Sequence, residues 1–204
     1  NSSGAKITND WRLTTPIDDE TADEEWYYFK SNGKMANSEK LTYKGKTYYF
    51  DSEGKMLTGW VTADGKDSVD EANTYKKDST FYCDETGARV EGAWVKDTEP
   101  GTSDDEADAD EYWYYLKSSG KVATGKQSNV KGQGFVFGNM DENRGQMLTG
   151  WVGGDEVGTK TSYREIDNEE STYELSNVDV AYYCLYDEDK ADGHVQKNLS
   201  LIHI

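Results

Sequence analysis

Residues 26–35 read WYYFKSNGKM and residues 113–122 read WYYLKSSGKV, identical at seven of ten positions at an offset of 87. Self-similarity of this kind marks a repeat architecture, in which each unit buries its apolar surface only against its neighbours. Four variants lie around these two segments: YYFDSEGKM from Tyr48, FYCDETGARV from Phe81, FVFGNMDENRGQM from Phe135 and YYCLYDEDKADGHV from Tyr182. All six copies carry an aromatic or apolar triplet and then a polar turn with a glycine: Gly33, Gly54, Gly87, Gly120, Gly145 and Gly193. A Met or Val follows each turn, namely Met35, Met56, Val90, Val122, Met147 and Val195.

Tyr, Trp and Phe favour a pleated, half-buried surface. Asn32-Gly33 and Glu53-Gly54 suit the positive backbone angles of tight turns. The expectation is one short hairpin per copy, closed at that glycine turn. No 3.6-residue apolar stripe with caps is evident, so helix content should be low. A lone hairpin is marginal in water, so neighbours must stack. A second mark, Gly59-Trp60-Val61, recurs as Ala93-Trp94-Val95 and Gly150-Trp151-Val152, with Trp11 in the same role for the first copy. All six tryptophans therefore sit at positions the repeat defines.

Composition sets a competing expectation. Leu, Ile, Val and Phe make up only 15% of the 204 residues, and the net charge is -18. Such values are typical of disorder, yet 15 Tyr and 6 Trp are not. If the chain folds, those rings must bury what aliphatic side chains bury elsewhere, roughly 150 to 250 Å² each. The acidic balance argues against nucleic acid as a partner. No apolar run approaches the ~20 residues of a membrane helix, so membrane insertion is not expected. The opening Asn1-Ser2-Ser3-Gly4 has no signal-peptide pattern and reads as internal to a longer gene product.

The succession of Gly-Trp-Val, spacer, Trp-Tyr-Tyr-Phe, glycine turn, Lys-Met and Leu-Thr-Gly-Trp resembles the cell-wall-binding, choline-binding-type repeats of Gram-positive surface proteins. Glucan-binding repeats and those of clostridial toxins are related to them. The resemblance covers residues 11 to 197. It implies an all-β solenoid of stacked β-hairpin repeats that binds a surface polymer or glycan outside the cell, associated with the wall. It also implies a covalently linked N-terminal domain. On this reading residues 1–10 end a preceding segment and 11–198 form about six hairpins. Residues 199–204, LSLIHI, fit neither repeat nor spacer and resemble a read-through artefact. Copies two and five depart from the family pattern: they lack the leading Gly-Trp and read LTYKGKTYYF and SNVKGQGFVF.

Long spacers at 18–25, 62–79, 97–111 and 153–179 carry a net charge of -22, leaving the repeat frame at +4. Like-charge runs of this sort are expected to protrude as solvated loops. Within the fourth, Tyr163, Ile166, Tyr173 and Leu175 could form an extra pair of strands. The acidic run at 104–111 lacks the glycine and terminal Glu of a calcium-binding loop. Cys83 and Cys184 occupy the third triplet position, held elsewhere by Phe or Leu, and are expected as buried free thiols. His194 and His203 do not make a metal site, and no cofactor is implied. No Gly-x-Ser-x-Gly, His-Glu-x-x-His or phosphate-loop pattern occurs, so the segment is read as non-catalytic.

The candidate binding residues are Trp60, Trp94, Trp151, Trp26 and Trp113, with Tyr28, Tyr49, Tyr82, Tyr115 and Tyr183. Two mechanisms compete for them. An aromatic cage would hold a quaternary ammonium such as choline. An aromatic platform would stack on a sugar ring while hydroxyls and carboxylates bond the sugar. The interrupted Gly-Trp row favours a glycan, or a wall polymer without choline, by a small margin. A third alternative is a spacer that binds nothing.

Overall fold

A computed structural model describes residues 4–17, 21–62, 64–69, 80–102, 109–166, 177–185 and 193–195. Among these the chain is all β, with thirteen strands and no helix. The first three hairpins pair β1 (Asp10–Thr14) with β2 (Glu25–Phe29), β3 (Glu39–Tyr43) with β4 (Lys46–Phe50), and β5 (Gly59–Val61) with β6 (Phe81–Cys83). Then β7 (Ala93–Thr98) pairs with β8 (Glu111–Leu116), and β9 (Gly125–Val130) with β10 (Gln133–Phe137). In the sixth, β11 (Gly150–Val157) is the centre of a three-stranded sheet between β12 (Lys160–Ile166) and β13 (Val180–Cys184). All these pairings are antiparallel.

The hairpins are not closed where the sequence suggests. Each aromatic strand pairs backward with the strand before it: Trp11 opposes Tyr28, Trp60 opposes Tyr82, Trp94 opposes Tyr115 and Trp151 opposes Tyr183. In the second and fifth hairpins Lys40 opposes Tyr49 and Lys126 opposes Val136. There the connections are the tight pairs Lys44-Gly45 and Lys131-Gly132, all four residues at positive φ. The glycine turn after each aromatic strand brings back only a single bridging residue, as in Phe29 to Met35, Phe50 to Met56 and Phe137 to Met147. In the third copy that residue is Arg89, bridged to Cys83, and not the expected Val90.

The reason lies in where the next peptide donates. Met56 N–H donates to Trp26 C=O of the preceding hairpin at 2.8 Å, Arg89 N–H to Thr47 C=O at 2.8 Å, and Met147 N–H to Trp113 C=O at 2.8 Å. Val195 N–H donates to Gly134 C=O at 2.7 Å. The residue after the turn thus belongs to the stack and cannot continue a hairpin. Asp51 and Asp84 hold two of the turns, their carboxylates accepting from Glu53 and Lys55 N–H and from Thr86 and Ala88 N–H at 2.9 to 3.0 Å.

The contacts divide the chain into two compact units. One is Asn1–Glu91 with Pro100–Ala107 and Ser119–Lys121, and holds the first three hairpins. The other is Gly92–Glu99, Asp108–Ser118 and Val122–Ile204, and holds the last three. Within each, side-chain alternation along the aromatic strand serves two interfaces. In β4, Phe50 packs with Tyr28, Ala36, Met56 and Trp11 of the first interface, and Tyr49 packs with Leu57, Val61, Cys83 and Phe81 of the second. In the second unit, Phe135 and Phe137 pack with Trp94, Trp113 and Tyr115, whereas Val136 packs with Tyr163, Tyr182 and Cys184. Both faces of a strand are therefore buried. This is how 15% aliphatic-plus-Phe content suffices, since rings fill both sides.

The described part of the fourth spacer is a strand rather than a loop. β11 runs on to Val157, turns at Gly158 (φ 64°), and β12 returns with Tyr163 and Ile166 buried. The expected partners Tyr173 and Leu175, residues 104–108 of the acidic run at 104–111 weighed for calcium, and the tail at 199–204 lie outside the described residues. Both cysteines are free and buried.

Candidate functional site

The glycine turns do more than permit a positive φ. A Cβ on Gly54 (φ 85°) would stand 2.5 Å from Met35 Cε, one on Gly193 2.7 Å from Met147 Sδ, and one on Gly87 (φ 76°) closer still to Met56 Sδ. Each methionine therefore lies under the turn of the next hairpin. The backbones of Met56 and Met147 are held by the carbonyls of Trp26 and Trp113, so methionine and tryptophan are fixed side by side.

In the first unit this arrangement builds a cavity of about 380 Å³, lined by Trp11, Trp26, Tyr48, Met56, Glu85 and Thr86. Trp11 is its central wall. That ring lies 5.1 Å from Tyr28, 5.0 Å from Tyr48 and 5.8 Å from Phe50, centroid to centroid, edge-on to the tyrosines and stacked on the phenylalanine. These neighbours fix its rotamer. Trp26 is 43% exposed, which leaves ring surface for a ligand. Apolar rings and a thioether form most of the wall, and the Glu85 carboxylate from the third hairpin's turn supplies the one formal charge.

The second unit repeats the constellation with Trp94, Trp113, Phe135 and Met147. Trp94 lies 4.9 Å from Phe135 and 5.9 Å from Phe137, and Trp113 packs on the same cluster as Met147. Beside Trp113 and Met147 opens a larger, more polar cleft of about 520 Å³ that includes Glu111, Tyr112, Asn143, Gln146 and Glu165. Burial, and then the charges of Asp110, Glu99 and Glu165, push the Tyr112 phenol above its ordinary value, so it stays a neutral donor.

The ten expected residues are thus spread over different environments. Trp26 lines the first cavity; in the second unit Trp94 and Trp113, at the positions equivalent to Trp11 and Trp26, pack on the core cluster of Phe135, Phe137 and Met147, and Trp113 also lines the polar cleft. Tyr28 and Tyr49 are buried at 6% and 3% exposure. Trp60 is buried against Tyr82, and Trp151 is paired with Tyr183, each at 5.1 Å. Tyr115 lies 5.1 Å from Trp94 in the packed cluster. Sequence reasoning did not assign Tyr48, Met56, Glu85 and Thr86 to a site, and used Trp11 only as a repeat marker. Two signals were available: the bridging residue is always two after the turn glycine, and alternation puts Tyr48 on the face toward Trp11.

Residues 20–35, 41–56 and 108–122 match the family model described as "Putative cell wall binding repeat". A curated relative from Streptococcus pneumoniae serotype 4, named "Putative endo-beta-N-acetylglucosaminidase", is 30% identical over 123 residues, which are 60% of this chain. The match spans only 14% of that relative's length. Among solved structures, CbpF in complex with ipratropium superposes with a TM-score of 0.51 at 24% identity, covering 91% of this chain and 42% of that one. Choline binding protein F from Streptococcus pneumoniae, in the presence of a peptidoglycan analogue, gives 0.46 at 25% identity, covering 84% and 38%. Each of the three matched segments carries the recurring unit of aromatic strand, glycine turn and bridging residue, Met35, Met56 or Val122, and in these segments the chain is similar to a cell wall binding repeat.

Proposed function

We propose that this chain is a non-catalytic module that holds its parent protein to a bacterial cell wall by docking quaternary ammonium groups, of the choline class, in tryptophan-lined cages. The observation that carries this is the cavity of Trp11, Trp26, Tyr48 and Met56 with Glu85 beside it. A methylated ammonium is attracted to ring faces, by about 0.5 to 2 kcal/mol per ring depending on desolvation, and needs no hydrogen-bond donor. Three rings and a carboxylate from different hairpins supply that. A sugar platform needs one flat face with polar groups around it. The cleft beside Trp113, with Glu111, Asn143, Gln146 and Glu165, favours that as a second reading for the second unit.

Three rings at such energies give a single-site Kd of order 1 mM, near -4 kcal/mol. Firm attachment then requires a polymer that engages more than one cage. A wall polymer bearing many such groups fits, and the module would act outside the cell. A hydrolase domain joined to it would be kept near its substrate.

Parallel retention on choline-derivatised resin, purified cell wall and an α-glucan tests this. Retention on the first two, with release by free choline and loss in Trp11→Ala/Trp26→Ala, is the expected result. Retention on the glucan that free choline does not release would favour the sugar reading. Unchanged wall retention in the tryptophan variant would favour a binding role elsewhere or a bare spacer.

A further inference from the structure

The second and fifth hairpins, which lack the leading tryptophan, show what happens when the cage is rewritten. At the interface from the second hairpin to the third, the positions of Trp11, Trp26, Tyr48 and Met56 are taken by Lys40, Thr47, Phe81 and Arg89. At the interface from the fifth to the sixth they are taken by Lys126, Gly134, Tyr182 and Val195. One ring survives in each, and in each a cation of the chain itself sits over it. The Arg89 guanidinium carbon is 5.4 Å from the centroid of Phe81. Lys126 Nζ is 4.2 Å from the centroid of Tyr182.

The two cations arrive from different places, Arg89 from the position after the turn and Lys126 from the leading strand. Both are also tied down. Arg89 donates to Tyr49 Oη at 3.0 Å and is paired with Glu91, and its side chain is only 16% exposed. Lys126 donates to Tyr182 Oη at 3.0 Å. Two independent replacements thus bring a positive charge onto the remaining ring of the interface.

We infer that Arg89 and Lys126 are resident cations that occupy the second and fifth inter-hairpin sites, closing them to external quaternary ammonium and fastening the neighbouring hairpins. This rests on the cage reading above. External cations are then taken only where tryptophan is kept, and the copies that break the family pattern are fasteners.

The test is a choline titration of the full chain with aromatic ring resonances followed by NMR. At concentrations that saturate the Trp11 and Trp26 indole shifts, the Phe81 and Tyr182 rings should not move. Indoles that do not respond would sink the cage reading itself. Saturable shifts at Phe81 and Tyr182 alongside the indoles would overturn the resident-cation inference alone. In Arg89→Met and Lys126→Met, the matching ring should become choline-responsive while the indole response reports an intact cage, and Arg89→Lys should stay silent. A Phe81 ring equally silent in Arg89→Met, with the indoles responding normally, would show that the cation is not what closes the site.

Discussion

Trp26 and Gly54 show how little of a residue's role is set by its own type. Trp26 lines the cavity because its carbonyl receives Met56 N–H at 2.8 Å while its ring is left 43% exposed. Removing that ring costs one cation–π contact, so Trp26→Ala should weaken choline binding by roughly 2- to 30-fold, corresponding to about 0.5 to 2 kcal/mol. Calorimetry with far-UV circular dichroism as a fold control reads this. Gly54 is needed twice, for its φ of 85° and for the space that Met35 fills, since a Cβ there would stand 2.5 Å from the methionine's Cε. Gly54→Ala should therefore lose roughly 2 to 4 kcal/mol, overpacking added to left-handed strain, in urea denaturation of the full chain. A Gly59→Ala control, with no atom within 4 Å of the added Cβ at φ 66°, should carry the backbone cost alone.

At the scale of the strand and turn, the repeat frame was legible and the pairing was not. Aromatic triplets and glycine turns are local signals, and they located every aromatic strand. The partner of each strand depends on where the peptide after the turn donates, which no local pattern states. For the same reason Val90 looked equivalent to Met56, although counting two residues from Gly87 reaches Arg89. The ring roles needed the alternation to be applied to both faces, since each side of β4 packs against a neighbouring hairpin. The third triplet position also sets the cysteine chemistry. Burial, and then Asp84 for Cys83 or Glu165 for Cys184, pushes both thiols up to about 12 from 9.0. These groups stay protonated in the folded chain while an unfolded chain ionises near 9. Their contribution to stability is therefore complete below pH 9 and is lost progressively as pH rises toward 12. Midpoints of urea unfolding should fall across that window, and Cys83→Ala/Cys184→Ala should flatten the fall. Neither thiol should react with iodoacetamide at neutral pH until the chain is unfolded.

For the molecule as a whole, charge and rings are separated by segment. The spacers carry -22 and the frame +4, and the frame holds the buried rings except Tyr163, which lies in the fourth spacer. The composition that suggests disorder is an average over these two kinds of segment. Each compact unit contains one constellation with both tryptophans kept, Trp11 with Trp26 and Trp94 with Trp113. Retention on a choline-bearing polymer should accordingly fall in Trp26→Ala and in Trp113→Ala, and vanish when the two are combined, measured as the free choline needed for elution. The central claim is that the tryptophan cage is the cation site. Calorimetric titration of choline into the full chain and into folded Trp11→Ala/Trp26→Ala tests it most directly. Saturable binding with a Kd of order 1 mM, with one fewer site in the variant, is the predicted result; equal stoichiometry and affinity in the two proteins would contradict it.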